Sequence, residues 1–538
     1  AAPRARRARW EAPGPRGRLE RVRRHQRAAP PSGYGAVLGG IVLDEHQQEA
    51  LDRALRGESV FITGGAGSGK TFVARCVVDA LREKLGDDDG ERVVVTAATG
   101  VAAVVAGGCT LHHKCGVNVP RLLEDFEVMR RSTFSSRSWW RRLEVLVIDE
   151  ISMISGEFLD HFEAQVRWLR GRDEPFGGLQ VVLVGDPFQL VPIPPSFTGI
   201  RGLHVDEENG RAVVGSTSGG EKELFLNRGM FFQSDAYWNS SFEVVELGIP
   251  HRQDGQGEYF SALNRLRDGS RDNVTAFKKA IRFFNDRIRK EPTSDGVVHM
   301  FPTIRAMQLM NQARLNEIPS EPVVFEAADD VVLETEATGA TASYFEKLLR
   351  SNDFFKDRSA DCPVVRTLSL KEGARVMLVA NVRHLHSSLV NGLCGTVVGL
   401  APPGEAWAEV DFDGVGPVVV PQWRFSAKVP GLGSCNRLQL PLQLAWAVTT
   451  HKSQGKTLSS VRVDPRAFTD GLLYVALSRT TSVEGLELAG PIAHKNALVN
   501  KDAVSFMEHH KDPRRARELL GTWRTQPLPK GLLKASAS

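Results

Sequence analysis

The chain has 538 residues, of which 42% are hydrophobic and 25% charged, with a formal net charge of +4. That is too long for one core and suggests roughly three or four structural units, while no apolar run approaches the ~18 residues needed to span a bilayer, which argues against a membrane protein. Ten arginines among residues 1–27, against Glu11 and Glu20, put +8 on the amino terminus and leave −4 for everything after it. Whole-chain charge therefore gives no argument for nucleic acid, and any DNA path has to be a local stripe. The six cysteines, at 76, 109, 115, 362, 394 and 435, form no C-x-x-C pair, which favours a reducing compartment over a disulfide framework. Cys109, His112, His113 and Cys115 have metal-ligand chemistry, but their segment is accounted for below without a metal.

Residues 1–40 are rich in Arg, Ala, Pro and Gly without apolar periodicity, so disorder is expected there. A solvated tail, an organelle transit peptide and a DNA-tethering arm all suit that composition. Ala1 in place of Met fits a fragment or a processed form.

From 41 to 247 strand, loop and helix repeat. The short apolar runs Val60–Thr63, Val93–Thr96, Leu143–Ile148 and Val181–Val184 read as parallel strands covered on both faces. In such doubly wound sheets ligands bind at the carboxyl ends of the strands. Behind the first run stands Gly64-Gly65-Ala66-Gly67-Ser68-Gly69-Lys70-Thr71, a phosphate-binding loop in its proper context. Its glycines let backbone N–H groups point at the β-phosphate, Lys70 reaches the β and γ oxygens, and the Thr71 hydroxyl ligates magnesium. Upstream, Gln47 is suited to pair with the N6/N7 edge of adenine, or is an ordinary surface glutamine on a helix.

Leu146-Val147-Ile148 ends in two acids: Asp149 to hold the magnesium shell, Glu150 to orient and deprotonate water for attack on the γ-phosphate. Together with the loop they specify an Mg2+-dependent NTP hydrolase. The next strand ends at Asp186-Pro187-Phe188-Gln189, where the neutral amide of Gln189 senses the γ-phosphate or attacking water. Arg252 and Arg479 are placed to stabilise phosphoryl charge from a second lobe, so that ATP closes a cleft and hydrolysis opens it; singly, either could be a surface or salt-bridging arginine. Thr99, Thr110 and His112, with Thr450, His451 and Lys452, suit sequence-indifferent phosphate contacts, although each run alone also reads as a capped helix start. Trp139-Trp140 is assigned to packing ahead of the Asp149 strand.

Within the first lobe, residues 196–229, rich in Gly, Ser and charge, are set apart as an exposed and inert insertion. The second lobe is expected at 248–370 and 438–495, with His299–Thr303 a strand and Ile304–Ile318 a helix. Short alternating strands over 371–437 suggest an inserted small β-barrel, and 496–538 form a C-terminal extension. The fold class is α/β.

Taken together, these runs resemble the Pif (petite integration frequency) family of DNA helicases, in the RecD-like branch of superfamily 1, over about residues 41–490. The most specific stretch is DHFEAQVRWLRGRDEPFGGLQVVLVGDPFQLVPI at 160–193; TAATGVAA at 96–103, IDEISMI at 148–154, HRQDGQGEYFSALNRLRDG at 251–269, LVNGLCGTVVG at 389–399, LPLQLAWAVTTHKSQGKTL at 440–458 and YVALSRTTSVEGL at 474–486 also match. The resemblance implies two RecA-like P-loop lobes with a small wedge over about residues 112–138 and a β-barrel insertion, and ATP-driven 5′→3′ translocation on single-stranded DNA. It also implies forked or tailed duplexes as substrates, with G-quadruplexes or RNA–DNA hybrids open, a monomeric free state, and work in repair, recombination, replication or telomere maintenance in nucleus or mitochondrion. Pro187 and Val191 depart from the family pattern, which commonly has a bulky apolar residue and a proline there. Competing readings are a helicase module of a rolling-circle transposon or relaxase polyprotein, and an ATP-switched nucleic-acid-binding protein that does not unwind. The 160–193 stretch disfavours a RecD-type nuclease subunit.

Overall fold

The computed structural model describes the chain from Val37 to Leu532, apart from residues 39–40, 100–101, 104–105, 116, 118–119, 128–133, 196–202, 207, 217–219, 250–256, 270–272, 293–296, 334–339, 356–361, 383, 387, 403, 430–432, 456–457, 459 and 530–531. Arg252 and nearly all of the Arg-rich tail lie outside the described residues.

The first lobe begins with helix α1 (Glu45–Leu55), followed by β1 (Val60–Gly64), α2 (Lys70–Leu85), β2 (Val93–Ala97), the short β3 (Cys109–Thr110) and α3 (Leu111–Cys115), α4 (Phe134–Arg142), β4 (Val145–Asp149), α5 (Gly156–Arg170), β5 (Gln180–Val184) and β6 (Glu243–Leu247). The six strands form one parallel sheet in the order β6-β1-β5-β4-β2-β3. Because successive side chains alternate in direction, Val60 and Ile62 face Leu51, Val73 and Val77 of α1 and α2, whereas Phe61 faces the opposite layer with Phe158 and Phe162 of α5. Both faces are covered, which is why these strands read as continuous apolar runs. Ser155 caps α5 by accepting from Phe158 N at 3.0 Å, and Gly171, at φ +68°, closes it in the left-handed conformation that a glycine C-cap permits.

The second lobe contributes α6 (Gly257–Arg267), β7 (Val298–Phe301), α7 (Ile304–Glu317), β8 (Ala447–Thr449), the single turn α8 (Thr450–Ser453), β9 (Val461–Val463), α9 (Leu472–Leu477) and β10 (Leu486–Leu488). Its strands make a second parallel sheet, β8-β7-β9-β10. The β-rich insertion starts at Val323 rather than 371: strands 323–326 and 328–333 pair antiparallel with 367–370 and 433–439, and a five-stranded sheet is built from 375–378, 394–400, 407–412, 416–421 and 442–444. Strand 323–326 buries one side chain and strand 328–333 none, so neither is covered on both faces as the lobe strands are.

Two segments pack more than their sequences announce. Residues 203–206, 211–216 and 220–223 form an antiparallel sheet, and Ala212, Val214, Leu224 and Leu226 share a small core with Leu122 and Leu532. An insertion read as exposed and inert is thus a folded module on the wedge segment, tied there by Lys222 to Glu124 at 2.8 Å. The extension holds α10 (Lys501–His509) and α11 (Pro513–Leu520), and Phe506 enters the first lobe's core, stacked on Phe232 at 4.4 Å. Trp140 is buried against Phe162 in the same core, a packing role. Among the described residues no helix is long and apolar enough to cross a membrane.

Candidate active site

The phosphate loop leaves β1 at its carboxyl end and enters α2. Gly64, Gly67 and Gly69 take φ of +147°, +86° and +83°, conformations that side-chain-bearing residues rarely adopt. A Cβ on Gly64 would lie 2.5 Å from the Leu247 carbonyl, and one on Gly65 2.8 Å from Asn264 Oδ1, so the loop is hemmed in by β6 and by α6 of the second lobe. Lys70 Nζ donates to the Gly64 and Gly65 carbonyls, each at 2.9 Å, folded over the loop where phosphate oxygens would compete for it. Ser68 Oγ is buried with no partner among the described residues. A glycine-lined cradle, a lysine above it and an orphaned hydroxyl fit a nucleoside triphosphate.

Thr71 Oγ1 lies 3.4 Å from Asp149 Oδ2, and this hydroxyl–carboxylate pair is the donor set for a hard divalent cation. Asp149 is 4% exposed, and burial together with the adjacent Glu150 charge pushes its pKa up to about 7. Glu150 follows in a left-handed conformation, φ 55° and ψ 43°, with its N–H donating to Asp149 Oδ1 at 2.8 Å. That turn aims its carboxylate at the second lobe, where Gln454 Nε2 donates to Glu150 Oε2 at 2.9 Å.

A buried network closes the other side. Tyr474 of α9 accepts from the Ala66 N–H at 2.6 Å and donates to Asp186 Oδ2 at 3.1 Å. Burial, then the Asp186 charge, raises the Tyr474 pKa, so the hydroxyl stays protonated. Arg267 of α6 donates to Asp186 Oδ1 at 3.0 Å while its guanidinium rests on the Phe188 ring at 4.6 Å. Gly471, at φ +71°, starts α9 directly against the first lobe: a Cβ there would be 2.5 Å from the Gln189 carbonyl. Gln189 itself is buried, its amide 3.5 Å from Asp186 Oδ2, at the limit of a hydrogen bond.

Arg479 is also buried, but its guanidinium points into its own lobe, with Nε on the Val475 carbonyl at 2.8 Å and one terminal nitrogen on Ser478 Oγ at 2.8 Å. Gln47 is buried rather than on the surface: its Oε1 accepts from Asp44 N at 3.2 Å while Asp44 Oδ1 accepts from Gln47 N at 2.9 Å, a reciprocal cap on α1. The six residues expected to contact DNA lie at or just beyond strand ends, three in each lobe. Thr99 follows β2 and accepts from Ala102 N at 3.3 Å, Thr110 ends β3, and Thr450, His451 and Lys452 form α8 after β8. Lys452 Nζ reaches Gln443 Oε1 at 2.9 Å, and Thr450 is buried. His112 packs its ring on Phe158 at 4.7 Å, and burial pulls its pKa down to about 4, which makes it a neutral group at neutral pH. Burial also lowers the His451 pKa.

Sequence reasoning missed Gln454, Tyr474, Arg267 and Asp186 as site residues. Gln454 sits two residues beyond a flagged lysine, and its type was the available signal. Arg267 and Tyr474 reach Asp186 over 81 and 288 residues of chain, which no local pattern encodes.

Residues 42–201 match the family described as PIF1-like helicase. The chain is 32% identical over 455 residues to the ATP-dependent DNA helicase PIF1 of Xenopus laevis, an alignment covering 83% of this chain and 61% of that relative. It therefore spans about three fifths of the length of such relatives. The fold is similar to the crystal structure of Pif1 helicase from Candida albicans, with a TM-score of 0.67 and 28% identity over 87% of this chain and 100% of that one. It is also similar to Bacteroides Pif1 bound to single-stranded DNA, with a TM-score of 0.63 and 26% identity over 87% and 97% of the two chains.

Proposed function

We propose that this chain, similar to PIF1-like helicases, is an ATP-hydrolysing DNA helicase moving 5′→3′ along single-stranded DNA. In this reading the Gly64–Gly69 loop with Lys70 cradles the triphosphate, and Thr71 and Asp149 hold Mg2+, which supplies charge neutralisation of the phosphates. Glu150 orients and deprotonates water, Gln189 reports the γ-phosphate, and Arg252 and Arg479 stabilise charge once the lobes close. The inward placement of Arg479 means that closure has to turn its guanidinium toward the nucleotide. Gln47, whose Oε1 is held in the α1 cap, is the candidate reader of adenine.

The observation that carries the reading is the Gln454–Glu150 hydrogen bond. Gln454 belongs to the same segment as Thr450, His451 and Lys452, so a strand held there acts one hydrogen bond away from the hydrolytic carboxylate. Thr99, Thr110 and His112 hold the strand from the first lobe, His112 as a neutral donor. Single-stranded DNA and forked or tailed duplexes are the partners, with G-quadruplexes and RNA–DNA hybrids as finer substrates and a monomer as the free state. The setting is repair, recombination, replication or telomere maintenance in nucleus or mitochondrion.

Strand displacement tests this. A duplex with a 5′ single-stranded tail is expected to be unwound with ATP and Mg2+, its 3′-tailed twin not, and Lys70→Ala should unwind neither. Hydrolysis without displacement of either duplex would instead indicate an ATP-driven binding switch.

A further inference from the structure

At the end of the first lobe's sheet where the strands begin, opposite the phosphate loop, lies a cleft of about 680 Å³ bordered by Arg92, Arg141, Arg142, Arg170 and Arg172, with Glu144 as its one lining carboxylate. Two of the arginines are spoken for. Arg92 donates to Glu144 Oε1 at 2.6 Å, and Arg170 caps the carbonyls of Leu143 at 2.6 Å and Gly177 at 2.8 Å. Arg142 touches only a neutral partner in this cleft wall, Ser138 Oγ at 3.2 Å, and is exposed. Arg141 and Arg172 are exposed and make no hydrogen bond or ion pair among the described residues. In a chain whose net charge after residue 27 is −4, Arg141, Arg142 and Arg172 are a concentration of cations that form no ion pair among the described residues.

The basic strip continues along α4. Arg137, one turn before Arg141 on that helix, lies 4.9 Å over the ring of Trp168, which is 42% exposed near the end of α5. Arg141 in turn reaches within 3.6 Å of where a Gly171 side chain would start. Guanidinium forks match phosphate oxygens, so the charge of the cleft suits a nucleic-acid backbone. We propose that this cleft and strip bind a second stretch of single-stranded DNA, with Arg141, Arg142 and Arg172 on its phosphates. The proposal rests on the DNA-helicase reading and adds a contact far from the nucleotide, suited to a trailing or displaced strand.

The test uses the triple variant R141E/R142E/R172E, which leaves the capping Arg170 intact, and binding titrations at several salt concentrations. For a long single strand, loss of three phosphate contacts should make the slope of log K against log salt shallower by about 2. For a short oligonucleotide that fills only the cleft between the lobes, affinity and stimulated ATP hydrolysis should match the unaltered protein. An unaltered long-strand slope in the triple variant would overturn the proposal, as would equal losses on both lengths. So would polyglutamate competing with the long strand as effectively as polythymidylate, which would mark the surface as a site for an acidic protein. Absence of DNA-stimulated hydrolysis in the unaltered protein would overturn the helicase reading itself, a result distinguishable from these.

Discussion

At the scale of single residues, the buried histidines make a prediction whose sign is fixed by the packing. His161 lies between Phe126, at 5.2 Å, and Trp523, at 6.0 Å, and its Nε2 is buried with no partner among the described residues. Burial, then nearby Arg524, lowers its pKa to about 4. The unfolded chain therefore takes up this proton near pH 6.5 while the folded protein does not, so the stability His161 allows is present above 6.5 and lost as pH falls toward 4. His161→Phe keeps the aromatic contacts and removes the titration. Its stability advantage over the unaltered protein should grow to about 2 kcal/mol between pH 7.5 and pH 5, read from denaturant midpoints at each pH. A difference independent of pH would show that His161 is protonated in the fold.

At the scale of elements, the C-terminal helices belong to the first lobe rather than trailing from it. Phe506 stacks on Phe232, meets Phe231 and Tyr237 edge-on at 6.0 and 5.6 Å, and lies tilted against Phe61 at 6.1 Å. Phe506→Ala should cost about 3–5 kcal/mol of stability, measured by denaturant unfolding, whereas a loss under about 1 kcal/mol would mean that α10 is only loosely docked. The elements differ in how far their own residues announce them. β1, β2, β4 and β5 are legible because burial on both faces demands unbroken apolar runs, and the phosphate loop because its glycines serve conformations few other residues adopt. The sheet at 203–223 is not legible, since its strands bury few side chains amid Gly, Ser and charge. Nor is the docking of α10, whose partners lie more than 250 residues away. Gln47 shows a further limit: its sequence suggests either a surface residue or an adenine reader, and the structure buries it and engages its oxygen in a helix cap.

At the scale of the whole molecule, two parallel-sheet lobes meet around one phosphate loop, and the contacts between them are specific and buried. Tyr474 and Arg267 converge on Asp186, Gly471 allows α9 to touch the Gln189 backbone, and Gln454 holds Glu150. A nucleotide entering this site has to displace Lys70 from its two loop carbonyls, so occupancy is felt where the lobes join. Gln454→Ala isolates the hydrogen bond to Glu150, the proposed hydrolytic carboxylate. Losing one charge-assisted bond of this kind should lower DNA-stimulated hydrolysis by about tenfold or more while ATP and DNA affinities stay within about twofold. Equal losses in affinity and turnover would assign Gln454 to binding alone.

The most direct measurement of the central claim is steady-state ATP hydrolysis with and without single-stranded DNA, for the unaltered protein beside Glu150→Gln. The account predicts strong stimulation by DNA in the former, and in the variant retained nucleotide binding with hydrolysis near background at every DNA concentration. Hydrolysis indifferent to DNA, or a Glu150→Gln variant that still turns over, would contradict a motor whose lobes couple a bound strand to this carboxylate.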